Sequence, residues 1–158
     1  MLMRIQYSLR FRDYFAFNAV HQFLLIPNQL FFVAVAALIA VSESIGSDVR
    51  RGVLAWVIAY SAMWALQLVY NFVVLHSKKN RALLTEHVVE VSDDTFSDAT
   101  AFCVSHYKWP GIVSTVSCPG FVAVYTAAHA ACIIPSRAFA DAPQREKFIA
   151  YVRAKTEA

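Results

Sequence analysis

Charged residues are nearly absent from Gln22 to Ser42 and again from Gly52 to His76, and past Arg81 unbroken apolarity gives way to alternating apolar and polar positions. The chain is therefore composite. Its second apolar run, Val53 to Leu75, is about 23 residues without a formal charge. At about 1.5 Å of rise per helical residue it covers the roughly 30 Å hydrocarbon core of a bilayer, and it predicts a transmembrane helix. The first run reaches from about Pro27 to Val41, or 19 residues counted from Phe23. Pro27 suits the first turn of a helix, where its missing donor is not needed. The two spans are placed at about 27–44 and 53–75. The polar segment between them, Ser42 to Arg51, is too short for a domain, so the spans form an antiparallel hairpin. Ahead of them, Asp13 to Ile26 sets Tyr14, Phe17, His21 and Leu24 near one helical face, which predicts an interfacial helix with aromatics at head-group depth.

After Arg81, His87 to Ser92 alternates, Asp93-Asp94 reads as a turn, and Thr95 to Thr100 follows as a return strand. Further β-branched runs lie at Ile112 to Ser117, Phe121 to Thr126 and Ala131 to Ile134. Five short strands at roughly ten-residue spacing predict an antiparallel sheet. Asp141 to Gln144 resembles a capping box, and Phe148, Ile149 and Val152 recur at helical spacing. A terminal amphipathic helix must cover the sheet, because about 75 residues of bare sheet bury too little surface. The spacing turns Trp109, Val124, Ile133, Phe148 and Val152 toward one core. The predicted fold class is membrane α+β: residues 1–81 hold an interfacial segment and a two-helix transmembrane hairpin, and residues 82–158 a small antiparallel β domain closed by the C-terminal helix.

Composition agrees, with 58% hydrophobic and 16% charged residues among 158. That is more apolar and less charged than a soluble globule. From Ala82 onward six Lys or Arg face eight Asp or Glu, so no basic footprint for nucleic acid is present. The cations instead flank the apolar runs: Arg4, Arg10 and Arg12 before the first, Lys78, Lys79 and Arg81 after the second, against Arg50 and Arg51 in the connecting loop. This bias places both termini in the cytoplasm and the chain in a bacterial inner membrane as a multi-pass protein. A secretory signal peptide is the competing reading of the first run, but its basic region would be more than 20 residues long and rich in aromatics.

Chemistry is sparse. Cys103, Cys118 and Cys132 are odd in number and lack a Cys-x-x-Cys pair, which reads as reduced packing cysteines. His21, His76, His87, His106 and His129 fall on different elements, so neither a metal nor a cofactor is expected. No Gly-x-Ser-x-Gly, P-loop, dinucleotide fingerprint or His-Glu-x-x-His occurs. Cys118, before Pro119-Gly120, with His106 or His129 is the candidate nucleophile-and-base combination. Within the spans, Gln29 and Gln67 lie about 19 residues on either side of a turn near Asp48, and Tyr60, Trp64, Gln67 and Asn71 share one helical face. Buried amides in hydrocarbon seek partners, so a Gln29–Gln67 hydrogen bond is predicted, with Asn71 on the same polar face. Small residues, Ala36 and Ala40 facing Ala55 and Ala59, permit close approach.

Trp109-Pro-Gly-Ile112, the strands either side of Pro119-Gly120, and Ile133-Ile134-Pro135-Ser136-Arg137-Ala138-Phe139 before a helix carry a family likeness. It extends to the strand-like Ile5 to Leu9, Asp13-Tyr14, Val89 to Asp94 and Tyr107-Lys108-Trp109. The chain resembles the YcxB-like family of small bacterial membrane proteins. The resemblance implies two spans and a C-terminal domain, in a family largely without an assigned activity. Thr95 departs from the glycine that often follows the paired acids, and Ser136 from a second basic residue before Arg137.

The resulting expectation is a non-enzymatic, membrane-tethered interaction module, similar to pleckstrin-homology-like domains in architecture alone. Its partner is the lipid bilayer or an unidentified protein, reached through Lys78, Lys79, Arg81 and Arg137; the residues leave the oligomeric state open. A membrane immunity protein that neutralises a toxin is one alternative, and a membrane-bound cysteine-dependent hydrolase using Cys118 is another.

Overall fold

The structure, a computed structural model, describes residues 3–45, 48–77 and 83–156. Its elements are β1 (Met3–Ser8), α1 (Phe11–Leu24), α2 (Ile26–Ser44), α3 (Val49–His76), β2 (Glu86–Val91), β3 (Thr95–Thr100), β4 (Val104–Lys108), β5 (Ser114–Cys118), β6 (Phe121–Ala127), β7 (Ala130–Pro135) and α4 (Ala142–Thr156). They form two compact units: one from the chain's two ends, Met1–Phe17 with Lys78–Ala158, the other from Asn18–Ser77.

In the first unit seven strands make two antiparallel sheets, β1-β2-β3-β4 and β5-β6-β7. Alternation builds β1: Ile5, Tyr7 and, just beyond it, Leu9 are buried, while Arg4, Gln6 and Ser8 are exposed. This strand pairs with β2 along its whole length, from Met3↔Val91 to Ser8↔Glu86. The expected boundary at residue 82 therefore moves, because the opening residues belong to the β unit. Every residue from Phe121 to Tyr125 is buried, the mark of a strand covered on both faces. Phe17 of α1 lies against Phe121 and Tyr125 at 5.9 and 6.0 Å between rings; the fully buried Val122 and Val124 turn to the opposite face. The first half of α1 thus packs on β6 through Phe17.

Two strands depart from the expected five, and one sheet becomes two. β1 coincides with the strand-like Ile5 to Leu9 of the family likeness but lies outside the five strands expected from alternation, and β4 has no two strong apolar positions in Val-Ser-His-Tyr-Lys. The predicted core is buried throughout: Trp109, Val124, Ile133, Phe148 and Val152 are all inside. The Trp109 indole N–H donates to the Asp93 carbonyl at 3.0 Å, and its ring meets Tyr151 edge-on at 6.0 Å. At the start of α4 the Asp141 carboxylate accepts from the Gln144 N–H at 2.7 Å, and the Gln144 side chain accepts from the Ala140 N–H at 2.6 Å. That is a capping box displaced by one residue.

In the second unit α2 and α3 are antiparallel neighbours. Pro27 occupies the first turn of α2, and the Asp48 carboxylate caps α3 by accepting from the Arg50 N–H at 3.2 Å. Gly52 is buried against α2, and a Cβ there would sit 2.8 Å from the Ala40 carbonyl oxygen and collide with Ser44. Both helices are long and apolar enough to cross a bilayer, and only 11% and 6% of their most apolar windows are buried. A core helix of a soluble protein would be mostly covered, so these helices point to membrane association.

Candidate functional site

The cationic side chains converge at the junction of β1 and α1. The Leu9 N–H donates to the Thr85 carbonyl at 3.0 Å, and the Asp13 carboxylate accepts from the Arg10 N–H at 2.8 Å, closing the first turn of α1. Pro135 ends β7 and begins a 3₁₀ turn, Ser136–Ala138. That turn is clamped to the β5–β6 turn: the Ser136 N–H donates to the Gly120 carbonyl at 2.9 Å and its hydroxyl to the Pro119 carbonyl at 2.8 Å. Arg137 then reaches across, donating to both Asp13 oxygens at 2.6 and 2.7 Å and to the Ser8 carbonyl at 2.8 Å. The forked geometry suits a strut more than a free cation.

Arg10, Arg12, Asp13, Gly120, Phe121 and Arg137 line a cleft of about 310 Å³ here. Three guanidiniums face one carboxylate, and that carboxylate is already engaged by Arg137. Arg10 and Arg12 form no ion pair among the described residues. Of the residues predicted for interaction, Arg137 is in the cleft but committed to Asp13, whereas Lys78, Lys79 and Arg81 lie outside the described residues. Sequence reasoning used Arg10 and Arg12 only as topology signals; that two unpaired arginines end up beside Arg137 depends on contacts more than 100 residues apart.

The hairpin's polar residues are all placed, with different partners. Gln29 accepts from the Tyr60 hydroxyl at 2.8 Å and donates to the Phe23 carbonyl at 3.1 Å. Asn71 and Gln22 exchange two amide hydrogen bonds, both at 2.9 Å. The predicted Gln29–Gln67 bond does not form; Gln67 is half-buried beside Met63 and Tyr70. The register explains this. The contacts Gln22–Asn71, Phe32–Tyr60 and Ala40–Gly52 are centred near position 46, two short of the assumed turn at Asp48. Gln67 therefore lies about one helical turn out of step with Gln29.

A second polar cluster is buried between β1, β2, β3 and β7. The Tyr7 hydroxyl donates to the Ile133 carbonyl at 2.7 Å and lies 3.8 Å from the Cys132 Sγ. Its ring stacks on His87 at 5.4 Å, and His87 Nδ1 meets Asp98 at 3.0 Å. Burial lowers the His87 pKa, but the hydrogen bond and charge of Asp98, with the Leu83 carbonyl, outweigh it and leave the net value raised. Burial pushes the Cys132 thiol well above its ordinary range, which makes it a poor nucleophile.

Cys118, half-buried at the end of β5, is opposite Phe121 at the start of β6, while His129 follows the far end of that strand. At about 3.3 Å per residue the two are separated by roughly 20 Å along β6. His106 is on β4 opposite Ser97, in the other sheet. Among the described residues no group of three His, Cys, Asp or Glu side chains is arranged to hold a metal ion. No protein-family model, curated protein or solved structure matches the chain.

Proposed function

We propose that the chain is a two-span membrane protein of the YcxB-like type, whose cytoplasmic β domain serves as a membrane-tethered, non-enzymatic interaction module. The pairing of β1 with β2 carries the reading. These strands bracket the two apolar helices and hydrogen-bond along six residues, so a chain that crosses the bilayer through α2 must return through α3. Both termini then share one side, and the Lys and Arg bias around the spans assigns that side to the cytoplasm of a bacterial inner membrane. The outward faces of both helices support it: Leu38, Ile58, Leu66 and Val73 are among the many large apolar side chains exposed there. A soluble monomer rarely leaves so large a patch uncovered.

A small β domain closed by a C-terminal helix is similar to pleckstrin-homology-like domains in architecture alone. The hairpin confines the domain to two dimensions, so weak contacts gain from effective concentration. Cysteine labelling of intact cells with an impermeant maleimide tests the topology, using Asp48→Cys between the helices and Thr156→Cys near the C-terminus. The loop position should label from outside and the C-terminal one only after permeabilisation; the reverse pattern refutes the assignment. Crosslinking in native membranes then identifies the partner.

A further inference from the structure

We infer that one end of the four-stranded sheet is a bilayer-contacting face, at which Phe102 enters the head-group region and Arg10 and Arg12 meet lipid phosphates. This rests on the two-span reading above. The registers Ser8↔Glu86, His87↔Thr100 and Ala99↔Val104 gather the exit of β1, the entry of β2 and the β3–β4 turn at a single end of the sheet. Both connections to the apolar helices leave from this end. β1 runs through Arg10 directly into α1, and β2 opens at Glu86, nine positions after Ser77.

The chemistry of this end matches a membrane surface. Phe102 is 73% exposed, and Val104, two positions on, and Leu83, just before β2, are exposed as well. The turn that presents Phe102 is held by Thr100, whose N–H donates to the Cys103 carbonyl at 2.7 Å. The Thr100 hydroxyl oxygen accepts from the Phe102 and Cys103 N–H groups at 3.3 and 3.1 Å. A turn tied this closely presents its phenyl ring outward, and aromatic rings are favoured at head-group depth. The unpaired Arg10 and Arg12 stand just beyond the end of β1, where anionic lipids attract them. The carboxylates here are engaged: Glu86 accepts from the Gln6 amide at 2.6 Å, and Asp98 holds His87. The opposite end carries the exposed Asp93-Asp94 turn, where Asp93 accepts from the Tyr151 hydroxyl at 2.7 Å and lies 3.7 Å from the Lys155 ammonium, and that turn presents no apolar side chain to a bilayer.

The full chain is reconstituted in vesicles of phosphatidylethanolamine and phosphatidylglycerol, with Cys118→Ser and a fluorophore on native Cys103, the exposed cysteine beside Phe102. A matching sample carries the label on Asp94→Cys with Cys103→Ser. Lipid with a head-group nitroxide should quench the Cys103 label several-fold more than the Asp94→Cys label. Phe102→Asp with Arg10→Gln and Arg12→Gln should abolish the difference, while far-ultraviolet circular dichroism stays unchanged. Quenching of Trp56 and Trp64 by brominated acyl chains reports separately whether the hairpin is embedded. Embedded tryptophans with equal quenching at positions 103 and 94 overturn the inference alone; unquenched tryptophans overturn the two-span reading and the inference with it. A Cys103 label shielded from iodide in native membranes but open to it in these vesicles refutes the lipid assignment and gives the face to a protein.

Discussion

Removing one oxygen atom at position 7 tests whether the opening strand belongs to the folded β unit. Tyr7→Phe leaves the ring in place against His87, so the loss of buried apolar surface is negligible. What disappears is the hydrogen bond to the Ile133 carbonyl at 2.7 Å, a link between the two sheets at a residue only 8% exposed. A buried hydrogen bond contributes about 0.5–1.5 kcal/mol net, and leaving its partner without a donor raises the cost to about 1–3 kcal/mol. Cys132 Sγ, 3.8 Å from the hydroxyl, is a weak donor and recovers little of that. At about 1.4 kcal/mol per factor of ten, the slowest-exchanging amides of β2 and β7 should exchange roughly five- to a hundredfold faster. The assay is hydrogen exchange of the full chain in detergent micelles, read by mass spectrometry on peptides from β2, β7 and, as an internal reference, α3. Unchanged protection in β2 and β7, both in Tyr7→Phe and in the more severe Ile5→Asp, would mean that β1 is not part of the sheet and that the argument from its pairing fails.

Because the folded-state pKa of His87 lies above the ordinary 6.5, its pair with Asp98 stabilises the fold fully below that value and progressively less as pH rises through the folded-state pKa. The difference in melting temperature between wild type and Asp98→Asn should therefore shrink from about pH 6 upward; a difference that widens with pH contradicts the assignment. Trp109→Ala should cost about 3–5 kcal/mol in urea unfolding, since it empties a buried site and removes the indole bond to Asp93. An unshifted unfolding midpoint would place Trp109 on the surface.

Features governed by local chemistry were legible in the sequence. Pro27 at a helix start, Asp141 with Gln144 at another, and the apolar spacing of Phe148, Ile149 and Val152 each depend on a handful of adjacent residues, and each stands where the pattern put it. Trp109 was legible for the same reason, as an aromatic among short strands whose N–H needs a carbonyl. The misses share a different cause. β1 is six residues whose partners lie 78 to 88 positions away, so its alternation had nothing nearby to pair with. The Gln29–Gln67 prediction used the right kind of interaction with a turn centre two positions off; in an antiparallel pair that moves opposing residues by four, a full helical turn. The cleft was illegible because Arg137 is brought to Asp13 by the clamp of the β7 exit on Pro119 and Gly120, which no periodicity encodes.

The insertion of the hairpin between β1 and β2 also decides how the domain can be divided. A fragment beginning at residue 82, the boundary that hydropathy recommends, lacks Ile5, Tyr7 and Leu9, all buried apolar residues, and exposes the β2 edge that β1 pairs with throughout. Such an unpaired edge is a template for aggregation. The β unit is kept whole instead by joining the opening residues through Phe17 to those from Leu83 onward, keeping Phe17 against Phe121 and Tyr125. The order of synthesis carries the same constraint. β1 emerges first, yet it has no partner until α2 and α3 have been made, and a flexible loop of that length would add a closure cost that grows with its logarithm. Two helices packed antiparallel, with Gly52 against Ala40 near their turn and Gln22 against Asn71 at their far end, return the chain toward its point of departure. A closed hairpin shortens the effective loop between β1 and β2 and so lowers the entropic cost of pairing them. Gly52→Leu, which overfills the helix contact at Ala40 and Ser44, should then speed hydrogen exchange in β2 as well as in α3, and unchanged β2 exchange would show that the pairing does not depend on the hairpin.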